Sequence, residues 1–216
     1  NISYTWLPSN KWQLSTYATM FLISNRQIAV YTPDGPGGMM LKKYQNDGDY
    51  NHGQIGTSLT GKFLDGRLSF SISPRLLLYK TTGSNSISHY PVTTSLNVNY
   101  YLGKFFFNAY YGTGSSYVDG ENAYLRKMPM SYSAGAGWAS RGWNIQLSLV
   151  NLFQSSWKLS KDTLTTRWYD SNVTQFGSDF HRRISLAVTY TFNYGKKVNQ
   201  SGELSNEKNI STSILH

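Results

Sequence analysis

Apolar and polar residues alternate one by one through most of this chain. The segment ending near Tyr194 shows it most cleanly. Ile184, Leu186, Val188, Tyr190, Phe192 and Tyr194 share one parity, while Arg183, Ser185, Ala187, Thr189, Thr191 and Asn193 share the other. Successive side chains of a strand point to opposite faces, so a period of 2 predicts a β-strand with one apolar and one polar face. The pattern recurs at Trp12–Leu22, Leu68–Ser73, Val92–Tyr100, Met128–Trp138 and Trp143–Leu149, and less regularly at 54–64 and 105–117. It predicts nine strands, at about 1–7, 12–25, 53–64, 67–81, 91–102, 104–116, 127–140, 142–154 and 182–194. Pro74 falls inside one of them at apolar parity, and the alternation blurs after it at Leu76-Leu77-Leu78. A bulge is the expected cause, because proline removes a ladder hydrogen bond.

Alternation alone would equally suit a soluble sandwich. The connections separate the two. Short ones at Pro8–Lys11, Leu64–Arg67, Leu102–Lys104 and Ser140–Gly142 take turns with long ones near 25–52, 81–91, 117–126 and 155–181. Outer-membrane barrels sort their connections this way, with short periplasmic turns and long outer loops. Acidic residues agree. Asp34, Asp47, Asp49, Asp119, Glu121, Asp162, Asp170 and Asp179 lie in the long connections, Asp65 in a short turn, and Glu203 and Glu207 beyond the last strand. None sits in a strand core, where hydrocarbon would make a carboxylate costly. Lys62 and Arg75 fall on the polar parity.

Composition narrows the classes further. Hydrophobic residues make up 39% of 216 positions, and no stretch approaches the roughly 20 apolar residues that a membrane-spanning helix requires. Charged residues are only 14% and aromatics 15%, including 17 Tyr, which is unlike a soluble domain. The net charge of +9 comes without a basic helix or a dense basic run, so nucleic acid is not an expected partner. Lys and Arg at membrane rims account for it instead. The chain has no cysteine, which removes disulfides and thiolate metal sites. It opens on Asn1-Ile2-Ser3-Tyr4-Thr5-Trp6, already strand-like, so an export signal is expected to have been processed or cut away.

Single-chain bacterial barrels have an even strand number, with both ends in the periplasm. Nine strands therefore imply either that further strands precede Asn1 or that 1–7 stands outside the wall and eight strands close alone. The closing segment Arg182–Val198 resembles the last strand of Bacteroidetes outer-membrane barrels of the TonB-dependent-receptor-like family, and Tyr31–Leu41 and the tail ending Ser213-Ile214-Leu215 are similar to theirs too. The resemblance spans the whole chain as the C-terminal part of such a barrel. The expected fold is thus all-β, an antiparallel transmembrane β-barrel portion of 8–9 strands over 1–195, with a polar periplasmic tail at 196–216.

The resemblance implies a bacterial outer-membrane location and a transporter that lines a passage and presents outer loops for ligand uptake. The alternative is a non-transporting barrel that scaffolds an envelope complex. Implied partners are outer-membrane lipid and lipopolysaccharide, the barrel-assembly machinery, TonB and a surface lipoprotein. Ile184, Leu186, Val188, Tyr190 and Phe192 would form the closing strand and assembly signal.

Catalytic chemistry finds little support in the residues. His52, His89, His181 and His216 are scattered, and no metal-ligand spacing or cofactor motif occurs. His181 near Asp179 is the one local acid–base pairing, and a loop-to-strand junction explains it better. Asn46-Asp47-Gly48-Asp49 lacks the spacing of a calcium loop and reads as a polar turn. Gly112-Thr113-Gly114 reads as relief of strand curvature. The expectation is no enzyme, no cofactor and no metal. Ligand contact is expected from Trp157, Arg167, Trp168 and Tyr169 in the longest connection and from Tyr31 and Tyr44 in the first. Aromatics beside a guanidinium suit stacking and cation–π recognition.

Overall fold

The computed structural model describes residues 1–122 and 124–192. Every regular element in them is a strand. Nine strands form one antiparallel sheet in nearly sequential order: β1 (Ile2–Ser9), β2 (Trp12–Ile23), β5 (Tyr50–Phe63), β6 (Leu68–Thr81), β8 (Val92–Leu102), β9 (Phe105–Gly112), β12 (Ser131–Ser140), β13 (Trp143–Val150) and β16 (Arg183–Tyr190). They match the nine expected segments. β1 pairs with β2 from Ile2↔Ala18 to Ser9↔Trp12, so 1–7 is a strand of the main sheet, contrary to the option that left it outside. The expected tail, 196–216, lies outside the described residues.

The long connections carry strands of their own. The first folds into a hairpin of β3 (Gln27–Asp34) and β4 (Met39–Asn46). The next contributes the short β7 (Ser88–His89), paired with β6. The last two supply β10 (Ser115–Asp119), β11 (Tyr124–Met128), β14 (Lys158–Thr165) and β15 (Asp170–Phe176), which join in a second sheet in that order. Two expected boundaries shift accordingly. The chain leaves the main sheet at Gly112 and enters the second at Ser115, so the Gly112–Gly114 stretch is a crossing between sheets. Met128 belongs to β11, and β12 begins only at Ser131.

Register places all apolar parities on one face, because directly paired residues project to the same side. Phe63, Leu68, Tyr100, Phe107, Ala136, Leu147 and Leu186 run side by side across β5, β6, β8, β9, β12, β13 and β16. The adjacent row on the opposite face reads Lys62, Ser69, Asn99, Asn108, Gly135, Ser148 and Ser185. Tight turns lock this register. Arg141 and Gly142 both take positive φ (49° and 85°) between the paired Ser140 and Trp143, and Gly103 takes 59° between Leu102 and Phe105. Positive φ at these positions gives the turn a twist that suits antiparallel strands.

The apolar face is uncovered. Ile2, Met20, Leu22, Val92, Ile184 and Leu186 are each more than 60% exposed. Among the described residues the buried apolar ones are Ile28, Ala29, Leu77, Tyr79 and Val118, and none of them lies on that face. Near the short turns the face is aromatic. Trp12 meets Phe63 and Phe70 edge-on at 5.3 and 5.7 Å, and Trp143, Tyr190 and Phe192 form a second cluster with 4.6 and 4.5 Å between rings.

The core instead forms where the second sheet meets the polar face. Leu77 and Tyr79 of β6 pack with Val118 of β10, flanked by Tyr50, Ile87, Tyr117 and Leu125. This explains the blurred parity after Pro74. The β6 register with β8 runs unbroken from Leu68↔Tyr100 through Pro74↔Thr94 to Leu76↔Val92, so there is no bulge at Pro74. Leu77 is apolar on a polar face because the β10–β11 hairpin covers it. Among the described residues the main sheet does not close on itself, and β1 and β16 are its edge strands.

Candidate functional site

Hydrogen bonds fasten the hairpins of the long connections to one another. The Ala29 amide donates to the Glu121 carbonyl at 2.8 Å, and Asn85 Nδ2 donates to the Ala29 carbonyl at 3.1 Å. Lys42 Nζ and Tyr44 Oη both donate to Asn122 Oδ1, at 2.9 and 3.3 Å. In the second sheet, Arg126 grips Asp162 with two bonds, Nε to Oδ1 at 2.8 Å and an Nη to Oδ2 at 2.6 Å. Gln175 Nε2 donates to the same carboxylate at 2.9 Å, and Arg126 reaches Tyr117 Oη at 3.3 Å. The carboxylate bond to Asp162 holds the Arg126 guanidinium firmly in its charged form, above its already high ordinary pKa.

Between the β3–β4 hairpin and the β14–β15 turn lies a cleft of about 320 Å³. Its walls include Tyr31 and Thr32 on one side, Arg167 and Trp168 on the other, with Ser84 and Asn85 between. Thr166 shapes the far wall. Its hydroxyl donates to the Tyr169 carbonyl at 2.8 Å and accepts from the Trp168 and Tyr169 amides at 3.2 and 3.0 Å. That turn aims Arg167 over the Trp168 ring, 5.3 Å from its centroid. Tyr169 meets Tyr31 edge-on across the cleft at 5.9 Å and 83°. Burial raises the Tyr31 pKa; the Tyr169 and Tyr44 phenols and Asp119 add to this and Lys42 partly offsets it. Its hydroxyl therefore remains a donor well into alkaline solution.

Four of the six residues expected to contact ligand thus converge: Tyr31, Arg167, Trp168 and Tyr169. The other two do different work. Trp157 stacks on His181 at 4.0 Å, and Tyr44 packs under Lys42 at 4.8 Å. His181 is engaged by that stack and by the Arg182 carbonyl, 3.2 Å from Nδ1. Asp47 and Asp49 act as loop ties, accepting the Ser84 amide at 2.8 Å and the Asn25 amide at 3.1 Å. Ser84, Asn85 and Thr32 had no sequence signal, because only the folding of the hairpins brings these connections together. Among the described residues no three His, Asp or Glu side chains converge as a metal site would require. The cleft offers aromatic walls, hydroxyls and a guanidinium with no ion-pair partner among the described residues, a set suited to reversible binding.

No protein-family model matches the chain, and neither does any curated protein or solved structure.

Proposed function

We propose that this chain is part of the wall of an outer-membrane β-barrel of the TonB-dependent-receptor-like kind, which lines a passage and presents its outer hairpins for ligand uptake. The single observation carrying this reading is the uncovered apolar face that runs in register across nine strands. Soluble monomers rarely expose an apolar patch beyond a few hundred Å², and a sandwich would bury this face against its partner sheet. Here the second sheet packs on the polar face, leaving the apolar face to hydrocarbon.

Dimensions support the reading. From Trp12 to Leu22 on β2 the apolar parity covers ten residue steps. That is about 34 Å along the strand and about 25 Å normal to a bilayer at a tilt of about 45°, which matches a barrel's apolar band. The aromatic clusters at the short-turn end would sit at the membrane–water boundary. The free edges of β1 and β16 must find strand partners, since unpaired backbone is not tolerated in lipid. Ile184 to Phe192 then forms the seam segment that the assembly machinery would read.

The absence of native cysteine makes a sidedness test direct. Single cysteines at Asn172 on β15 and at Gly103 in a short turn would be probed with a membrane-impermeant maleimide on intact cells. The expected result is labelling at Asn172 alone until the outer membrane is permeabilised. Equal labelling of both positions in intact cells would sink the proposal.

A further inference from the structure

The polar face of the main sheet carries charge of one sign. Its charged strand residues are Lys62, Arg75 and Arg183, and no Asp or Glu lies on it among the described residues. Arg75 is exposed, and it stands beside a formed pocket. It is the direct cross-strand partner of Thr93, and both line a small pocket of about 140 Å³ where the polar face meets the second sheet. Thr93 is only 4% exposed, yet its Oγ1 is buried without any hydrogen-bond partner. Such an orphan hydroxyl is destabilising unless something binds it. Arg75 makes no ion pair with any described residue.

The rest of the pocket supplies further hydroxyls and no carboxylate. Ser95 and Ser131 both pair with Gly112, so they flank a position without a side chain. A Cβ on Gly112 would lie 2.5 Å from Tyr110 Oη, so the glycine leaves room for the phenol to stand in the pocket. One guanidinium beside a ring of hydroxyls, with no carboxylate in the lining, is the chemistry that holds a compact oxyanion. A volume of about 140 Å³ admits a group of phosphate or sulfate size.

We propose that the pocket between Arg75 and Thr93 is an oxyanion site that takes a phosphate or sulfate group on the polar face of the wall. In the barrel reading above, it stands under the outer hairpins at the mouth of the passage, where a cationic lining favours anionic solutes. Binding at the pocket does not itself depend on that reading.

The test is titration of the full chain in detergent micelles with inorganic phosphate, and separately with sulfate, followed calorimetrically. Saturable binding is expected. Arg75→Gln should weaken it about 10- to 100-fold, the loss of a charge-assisted contact, and Thr93→Val about 3-fold. Arg67→Gln, a cation in a short turn, should leave it within about two-fold. If Arg75→Gln does not fold by circular dichroism, Arg75→Lys carries the test, because an ammonium keeps the charge but loses the forked donors and should still weaken binding. No saturable binding by the folded wild-type chain, or equal affinity in the folded Arg75 and Thr93 variants, would overturn the proposal. Those outcomes would leave the membrane reading untouched. A chain labelled identically at Asn172 and Gly103 would undo the membrane reading without touching the oxyanion site.

Discussion

Exchanging charge between adjacent residues of β8 separates a membrane wall from a water-soluble sheet. Leu96 lies on the apolar face and Asn97 on the polar one. Leu96 is four steps from Val92 and six from Leu102, the ends of the strand. At about 3.4 Å per residue and a tilt of about 45°, that places it about 10 Å and about 14 Å from the two boundaries, near the midplane of a band about 25 Å tall. Leu96→Arg should therefore cost about 2–4 kcal/mol of folding stability in lipid. Asn97→Arg points to the polar face beside Ser71 and Tyr110, its cross-strand partners, and should change stability by no more than about 0.5 kcal/mol. Denaturant titration of the intact protein in phospholipid vesicles, followed by tryptophan fluorescence, reads both values. In a soluble sheet Leu96, already 37% exposed, would tolerate Arg about as well as Asn97 does. Equal effects of the two substitutions would therefore refute the assignment of faces.

Three further expectations follow from individual contacts. Arg126→Leu strands the Asp162 carboxylate, which is 8% exposed; the cost should be about 2–3 kcal/mol, below the full value for a buried pair because the Arg side chain is partly exposed. Hydrogen exchange should then quicken in β11 and β14 and stay unchanged in β2 and β5, and adding Asp162→Leu should restore most of the protection. The His89 ring, whose Nε2 lies 2.7 Å from Ser116 Oγ between β7 and β10, has its pKa lowered by burial and by the charge of Lys127. The unfolded chain then takes up this proton first, so the stabilising contribution is complete above the ordinary value of 6.5 and is lost as pH falls through the folded value; His89→Gln should flatten that slope in a pH-dependent unfolding series. Gly142→Ala, at φ +85° and with its Cβ 2.7 Å from the Thr191 carbonyl oxygen, should destabilise the β12–β13 hairpin by about 1–2 kcal/mol in the same denaturant assay.

The nine strands of the main sheet were legible because a sheet with one apolar and one polar face needs a strict two-residue period. Ile184 to Tyr190 carries it without interruption, and Leu96 to Tyr100 likewise. The outer hairpins escaped notice for the converse reason. β14 reads Lys158-Leu159-Ser160-Lys161-Asp162-Thr163, with no clean apolar parity, because its buried face is polar: Ser160 and Asp162 are buried, and Arg126 pairs with the carboxylate. Leu77 looked like a break in pattern and is a contact with Val118 that no local rule encodes. The candidate cleft was half legible. The Arg167-Trp168-Tyr169 cluster announces itself in sequence, and Tyr31 joins it only because the first hairpin folds across. Trp157 has the same composition signal and a different partner, His181, so an aromatic in a long connection does not by itself mark a ligand wall.

The most direct measurement of the central claim is a spin-label scan of single cysteines from Thr93 to Leu102 in the protein reconstituted in bilayers. Collision rates with oxygen and with a water-soluble nickel chelate would be read at each position. The two-faced wall predicts opposed period-2 oscillations, with oxygen maxima at Thr94, Leu96, Val98 and Tyr100 and nickel maxima at Ser95, Asn97, Asn99 and Tyr101. Oscillations in phase with each other, or no oscillation at all, would contradict it.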